Sequence, residues 1–227
     1  MGDSSIVSLK NVSVGYSKKP VLNNITLGIS QGEKVLINGS NGSGKSTLLK
    51  LIGGSLEPWS GSVAVLNTPL TNNRYRQTIR RHIGILTQIQ QETQIAVSVE
   101  ESVLLGLWST EFSYLRRSKR EDRLRVKNTL KSISMDGFAK RDIRSLSGGQ
   151  RQKVALGRAL IRNPKLLMMD EPTTYLDSYA KEELIELIDD LWQELNFTLI
   201  VVSHENLQNI NFNSSYYLEG GSLGGSD

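Results

Sequence analysis

The stretch GSNGSGKST, Gly39 to Thr47, sets three glycines and an asparagine ahead of a lysine followed by two hydroxyls. Gly39, Ser40, Asn41, Gly42, Ser43 and Gly44 form a segment that can curl until successive backbone N–H groups point inward at phosphate oxygens. The run KVLIN before it reads as a short buried strand. STLLKLIGG after it reads as a helix, with Leu48, Leu49 and Ile52 on one face. A strand feeding a glycine loop that opens a helix is the setting of a phosphate-binding loop, to which the helix adds its positive N-terminal end.

Within that loop Lys45 is expected to reach the outer phosphates of a nucleotide. Ser46 would offer its hydroxyl to Mg²⁺, and Thr47 lies toward the α-phosphate. Holding a phosphate is not yet a reaction. LLMMDE supplies candidates for one: Asp170 ends an apolar run and can hold the metal through water, and Glu171 can orient or deprotonate an attacking water. Taken alone, two acids could simply cap a strand end. Together with the loop upstream they point to hydrolysis rather than transfer to another acceptor.

A second helix start follows about a hundred residues later in LSGGQRQ, residues 146–152. Ser147 and Gln150 stand in capping-box spacing, while Gly148 and Gly149 leave the helix-end amides open to an anion. In isolation this motif is a well-capped helix.

Between and around these motifs the chain alternates strand and helix patterns. IVSLKNVSVGY and VLNNITLGI, joined at SKKP, read as antiparallel strands, and residues 61–70 return to strand character. IGILTQ is an apolar strand ending at Gln88. Residues 95–143 turn helical, and a helix after SLSGGQ is stopped by Asn163 and Pro164. LLMMD and TLIVVSH are continuous apolar strands ending in an acid and a histidine, as strands covered on both faces should be. Leu184, Leu187, Ile188, Leu191 and Leu195 keep a helical stripe. The tail GGSLGGSD has linker composition and is expected to be flexible.

Composition narrows the classes. Hydrophobic residues make up 38% and charged residues 22%, the ordinary balance of a soluble globular unit. The absence of cysteine excludes disulfides, thiolate metal sites and cysteine nucleophiles, and suits a reducing compartment. MGDSSIVSLKNV has no apolar run of signal-peptide length, and nowhere do about 18 apolar residues follow one another, so no leader and no membrane span are expected. The net charge of +4 is too small to argue for nucleic acid. LRRSKREDRLRVK gathers seven Lys/Arg against two acids without interleaved aromatics, which fits a solvated helix face better than a nucleic-acid patch.

In their order along the chain these motifs resemble those of the ATP-binding subunit of ABC transporters, over nearly the whole length. GSNGSGKST matches the Walker A loop, LLMMDE the Walker B strand and LSGGQ the family signature. TTYLD at 173–177 matches the D-loop and VVSHE carries His204 at the place of the switch histidine. Tyr16 fits the aromatic that stacks on adenine, and Gln88 the Q-loop residue that touches Mg²⁺ and senses the membrane partner. Thr87 stands where proline is frequent and Tyr175 where smaller residues are usual; both departures leave the catalytic groups in place.

The resemblance implies an α/β fold: a P-loop NTPase core with a mostly parallel sheet flanked by helices, an N-terminal antiparallel β subdomain and an inserted helical lobe. The core with its β subdomain would take about 1–88 and 159–219, the lobe about 89–158 and the tail 220–227. It also implies a head-to-tail dimer of two copies burying two Mg-ATP, with Ser147, Gly148, Gly149 and Gln150 of one copy on the ATP of the other. Permease subunits in the membrane, served by a substrate-binding protein, would hold the dimer on the inner face of the cell membrane. VSVEESVLLGLW is similar to subunits that drive metal-ion or metal-chelate uptake.

A soluble ABC ATPase powering an assembly such as iron-sulfur cluster building is the alternative of another class. The roughly 98 residues between the two nucleotide motifs lack the heptads of a repair ATPase, and no NKxD motif for guanine is present.

Overall fold

A computed structural model describes residues 5–87, 96–108, 119–205, 207 and 210–226. β1 (Ser5–Tyr16) and β2 (Lys19–Ser30) pair antiparallel across Ser17 and Lys18, both at positive φ. Such a two-residue turn matches the twist of the strands it joins. β1 also pairs with β4 (Ser60–Val65), which folds back into β5 (Thr68–Pro69) through Leu66 and Asn67, again both at positive φ. The strand character of 61–70 is therefore a small hairpin rather than one strand.

The second sheet carries the motifs. β3 (Lys34–Asn38), β6 (Ile83–Leu86), β7 (Leu166–Asp170), β8 (Thr198–Ser203) and β9 (Ser214–Glu219) run parallel, with β10 (Ser222–Ser226) antiparallel on β9. The order is β10-β9-β3-β8-β7-β6. The central apolar strands β3, β7 and β8 bury both faces, as their continuous hydrophobic runs predict, whereas Ile85 of the edge strand β6 is exposed. Val35 and Ile37 of β3 join one core with the antiparallel sheet and α1 (Lys45–Ile52). Leu36, on the opposite face, joins a second core with α5 (Gly148–Leu160) and α6 (Ser178–Leu195).

Because the central strands are parallel and in register, their C-terminal ends share one rim: Asn38 pairs with Ser203, and Asp170 with Val202. In open α/β sheets that rim is where ligands bind.

The helical texture of 95–143 resolves into α3 (Val99–Leu104), begun by a Ser98–Glu101 capping box, and α4 (Arg120–Ser132). Two elements were not legible as such. α2 (Asn73–Arg80), capped by Asn72, buries only Ile79 and Arg76, so it carries no apolar stripe. β9, SSYYLE, buries only Leu218 fully.

The expectation of a flexible tail is corrected. Gly220 and Gly221, both at positive φ, make the hairpin turn into β10. The Asn23 N–H donates to the Gly221 carbonyl, and Leu223 packs against the core. Linker composition here hides a two-glycine turn followed by one anchoring side chain.

Candidate functional site

The loop between β3 and α1 needs its glycines for different reasons. Gly42 and Gly44 have φ of 80° and 111°, which L side chains rarely adopt. A Cβ on Gly39 would lie 2.4 Å from the Leu218 carbonyl oxygen. Gly44 is the N-cap of α1 and no side chain caps that helix, so its first-turn amides are left for a ligand. A cavity of about 230 Å³ opens there, lined by Asn41, Gly42, Gly44, Lys45, Ser46, Thr47, Asp170, Glu171 and Val21.

Lys45 is 6% exposed, its Nζ 2.6 Å from the Gly39 carbonyl oxygen, 3.1 Å from that of Ser40 and 3.5 Å from Glu171 Oε1. Its ammonium is thus held among oxygens at the cavity wall. Ser40 and Ser43 complete the loop; Ser43 Oγ is buried with no partner among the described residues. Tyr16, at the end of β1, is half exposed with the Lys50 ammonium of α1 5.9 Å from its ring centroid, so its ring stands beside the loop helix.

Burial pushes the Asp170 carboxyl above the ordinary carboxylate range, with the nearby Ser46 hydroxyl opposing the rise and the neighbouring Glu171 charge adding to it. A hydroxyl and a carboxylate at the mouth of a phosphate cradle are hard oxygen donors, and they fit Mg²⁺, which takes one or two such groups plus phosphate and water. Among the described residues no cluster of three His, Cys, Asp or Glu forms a metal cage. The ion would therefore depend on the nucleotide for the rest of its shell.

Glu171 has φ of 51° and its N–H bonds to the Val202 carbonyl. Its Oε2 lies 2.8 Å from His204 Nδ1 and 3.3 Å from the His204 amide, while Oε1 faces Lys45. The carboxylate is thus fixed at the cavity wall between a cation and an imidazole, placed to accept a proton from a water in the cavity. Gln88 lies outside the described residues.

Ser147 caps α5 as predicted: its Oγ accepts from the Gln150 amide at 3.2 Å, and Gln150 Oε1 accepts from the Ser147 amide at 3.0 Å. Gly148 and Gly149 follow, and a Cβ on Gly149 would meet Ala180 Cβ at 3.0 Å. None of these four residues lines the phosphate cavity. One chain brings Lys45, Asp170, Glu171 and His204 together and leaves the signature elsewhere.

Several functional contacts escaped sequence reading. Gln152 Nε2 donates to the Pro172 carbonyl at 2.7 Å, tying α5 to the residue after Glu171. Glu205 accepts from Thr173 Oγ1 at 3.1 Å and from Lys181 Nζ at 2.8 and 3.0 Å; the Lys181 bond holds its carboxyl below the ordinary range. These partners lie 20 to 32 residues apart in sequence, so no spacing announces them.

The sequence model of the family described as "ABC transporter" matches residues 22–174. The high-affinity zinc uptake system ATP-binding protein ZnuC of Bacillus subtilis is 38% identical over 204 residues, 88% of this chain and 85% of that protein. The structure of cbiO1 from Clostridium perfringens, part of the ABC transporter complex cbiONQ, matches with a TM-score of 0.86 and 29% identity, covering 97% of this chain and 87% of that one. The dimeric, post-hydrolysis ATP-binding cassette MJ0796 bound to ADP and Pi matches with a TM-score of 0.78 and 34% identity over 96% of both chains. A cradle for phosphates, a carboxylate at its wall and these likenesses agree: the chain belongs to the ABC transporter family, as an ATP-hydrolysing cassette.

Proposed function

We propose that two copies of this chain clasp two Mg-ATP head to tail and drive import through separate permease subunits, with a metal ion or metal chelate as cargo. One observation carries the dimer: the capped helix end at Ser147, open to an anion, lies outside the cavity around Lys45. A second copy supplies the missing wall. Tyr16 then stacks on the base, and Gly39 to Thr47 cradle the phosphates. Ser147, Gly148, Gly149 and Gln150 of the sister chain close the other side. Residues 89–158 act as the lobe that carries the signature, the remainder as the catalytic core.

Glu171 accepts the proton of the attacking water, and His204 holds that carboxylate in place through Nδ1 while the other ring nitrogen is left for the terminal phosphate. Lys45 leaves the loop carbonyls for the outer phosphates. Ser46, Asp170 and Gln88 would hold Mg²⁺, which would neutralise phosphate charge. Hydrolysis removes the shared ligand and lets the copies part, a motion passed to the permease through the Gln88 region.

No described helix is long and apolar enough to cross a membrane. The permease holds the chain at the inner, cytoplasmic face. The zinc-uptake relative supports the cargo class.

Glu171→Gln should lower hydrolysis by about 10²- to 10⁴-fold and trap an ATP-loaded dimer. Size-exclusion chromatography with saturating Mg-ATP checks this. A purely monomeric peak removes the shared-site reading.

A further inference from the structure

The loop that follows Glu171 is exposed at its tip and tethered at its base. Tyr175 is 82% exposed with φ of 67°, and Tyr179, one helical turn on, is 76% exposed. A bulky residue in the left-handed region is rare and persists where the surrounding structure holds it. Leu176 and Ala180 border the signature helix: Cβ atoms on Gly148 and Gly149 would meet Leu176 Cδ2 at 3.5 Å and Ala180 Cβ at 3.0 Å. Whatever seats on the helix end at Ser147 therefore borders this loop as well.

The base of the loop leads back to the catalytic rim. Thr173 is 1% exposed and donates to Glu205 Oε2, and Lys181, in the first turn of α6, grips both Glu205 oxygens. Glu205 directly follows His204, and its own amide is fixed by Ser203 Oγ at 2.9 Å. Both carboxylate oxygens are thus committed to the loop base and the first turn of α6, while the adjacent residue holds Glu171. Charge-assisted bonds of this kind fix geometry more firmly than neutral ones.

We propose that Glu205 is a positioning residue that conveys engagement of the signature end, through Thr173 and Lys181, to His204 of the same chain. The proposal rests on the head-to-tail reading above. It ties the His204–Glu171 contact to the loop around Tyr175, which a sister chain's nucleotide would border. Glu205 touches neither nucleotide nor water; it acts through its neighbour.

The test uses Glu205→Ala, Thr173→Val, their combination and Thr173→Ser in the full chain. Each of the first two should lower kcat by about tenfold to a hundredfold, as small misplacements of catalytic groups do, with KM for ATP within about twofold. The double variant should be no slower than the slower single one, and Thr173→Ser, which keeps the hydroxyl, should restore the wild-type rate.

The chain has only two histidines, so the ring resonances of His204 are separable from those of His82. In nucleotide-free protein they should move in Glu205→Ala and in Thr173→Val, but not in Thr173→Ser. Unmoved resonances, unchanged kcat, or losses that multiply in the double variant would each overturn the link. If the wild type proved unable to hydrolyse ATP while the resonances moved as expected, the tie between loop and His204 would stand and the enzymatic reading would fall.

Discussion

Glu171 holds its carboxylate between Lys45 and His204 from a backbone in the left-handed region, a conformation that costs a non-glycine residue about 1–2 kcal/mol. The neighbouring Asp170 adds a second local cost. Its carboxyl is harder to ionise in the fold than in the unfolded chain, chiefly through burial. The stability linked to it is present below the unfolded pKa and is lost as pH rises through the higher folded value. Nucleotide-free Asp170→Asn should accordingly melt above the wild type at neutral pH, with the gap closing on acidification. Mg-ATP should then raise the wild-type melting temperature more than that of the variant. Equal or lower melting of Asp170→Asn at neutral pH would show that burial of the charge is not the governing effect.

Among the elements, α5 is the one whose start, in the proposed pair, would serve the sister chain's nucleotide. Ser147→Arg removes the cap, worth about 1 kcal/mol, and sets a bulky cation at the helix end. ATP binding by the single chain, measured by titration calorimetry, should stay within about twofold of wild type. Hydrolysis should fall at least about a hundredfold. Normal turnover would contradict a role for this helix end on the sister nucleotide.

Elements with a long apolar face were legible in the sequence: β7 and β8 as unbroken runs, α6 as a stripe in which Leu184, Ile188 and Leu191 are buried. α2 was not, because its buried Arg76 bonds Glu57 and the Leu70 carbonyl instead of filling a hydrophobic position. A polar residue buried through its partners leaves no periodic trace.

At the scale of the whole molecule, the parallel sheet converts distant sequence motifs into neighbours at one rim. The motif residues were legible because each lies within a contiguous stretch. The ties from Gln152 to Pro172 and from Thr173 to Glu205 were not, since they exist only once the strands are side by side. The C-terminal hairpin shows the opposite failure, composition suggesting disorder where the sheet gains a strand. Gly221 has φ of 79°, and a Cβ there would lie 2.3 Å from the Val21 carbonyl oxygen. Gly221→Val should therefore cost about 1–3 kcal/mol, read as a lower denaturant midpoint. An unchanged midpoint would mean that β10 adds nothing to the fold.

The hydrogen bond that the Gln152 side-chain amide donates to the Pro172 carbonyl reaches further than stability. In the proposed head-to-tail pair, each chain would meet one ATP through α5 and cut the other beside Glu171, and this bond spans the two within a single polypeptide. Occupancy of either pocket would thereby be felt at its twin. Turnover would then rise sigmoidally with ATP concentration, and a half-loaded pair would idle rather than fire alone.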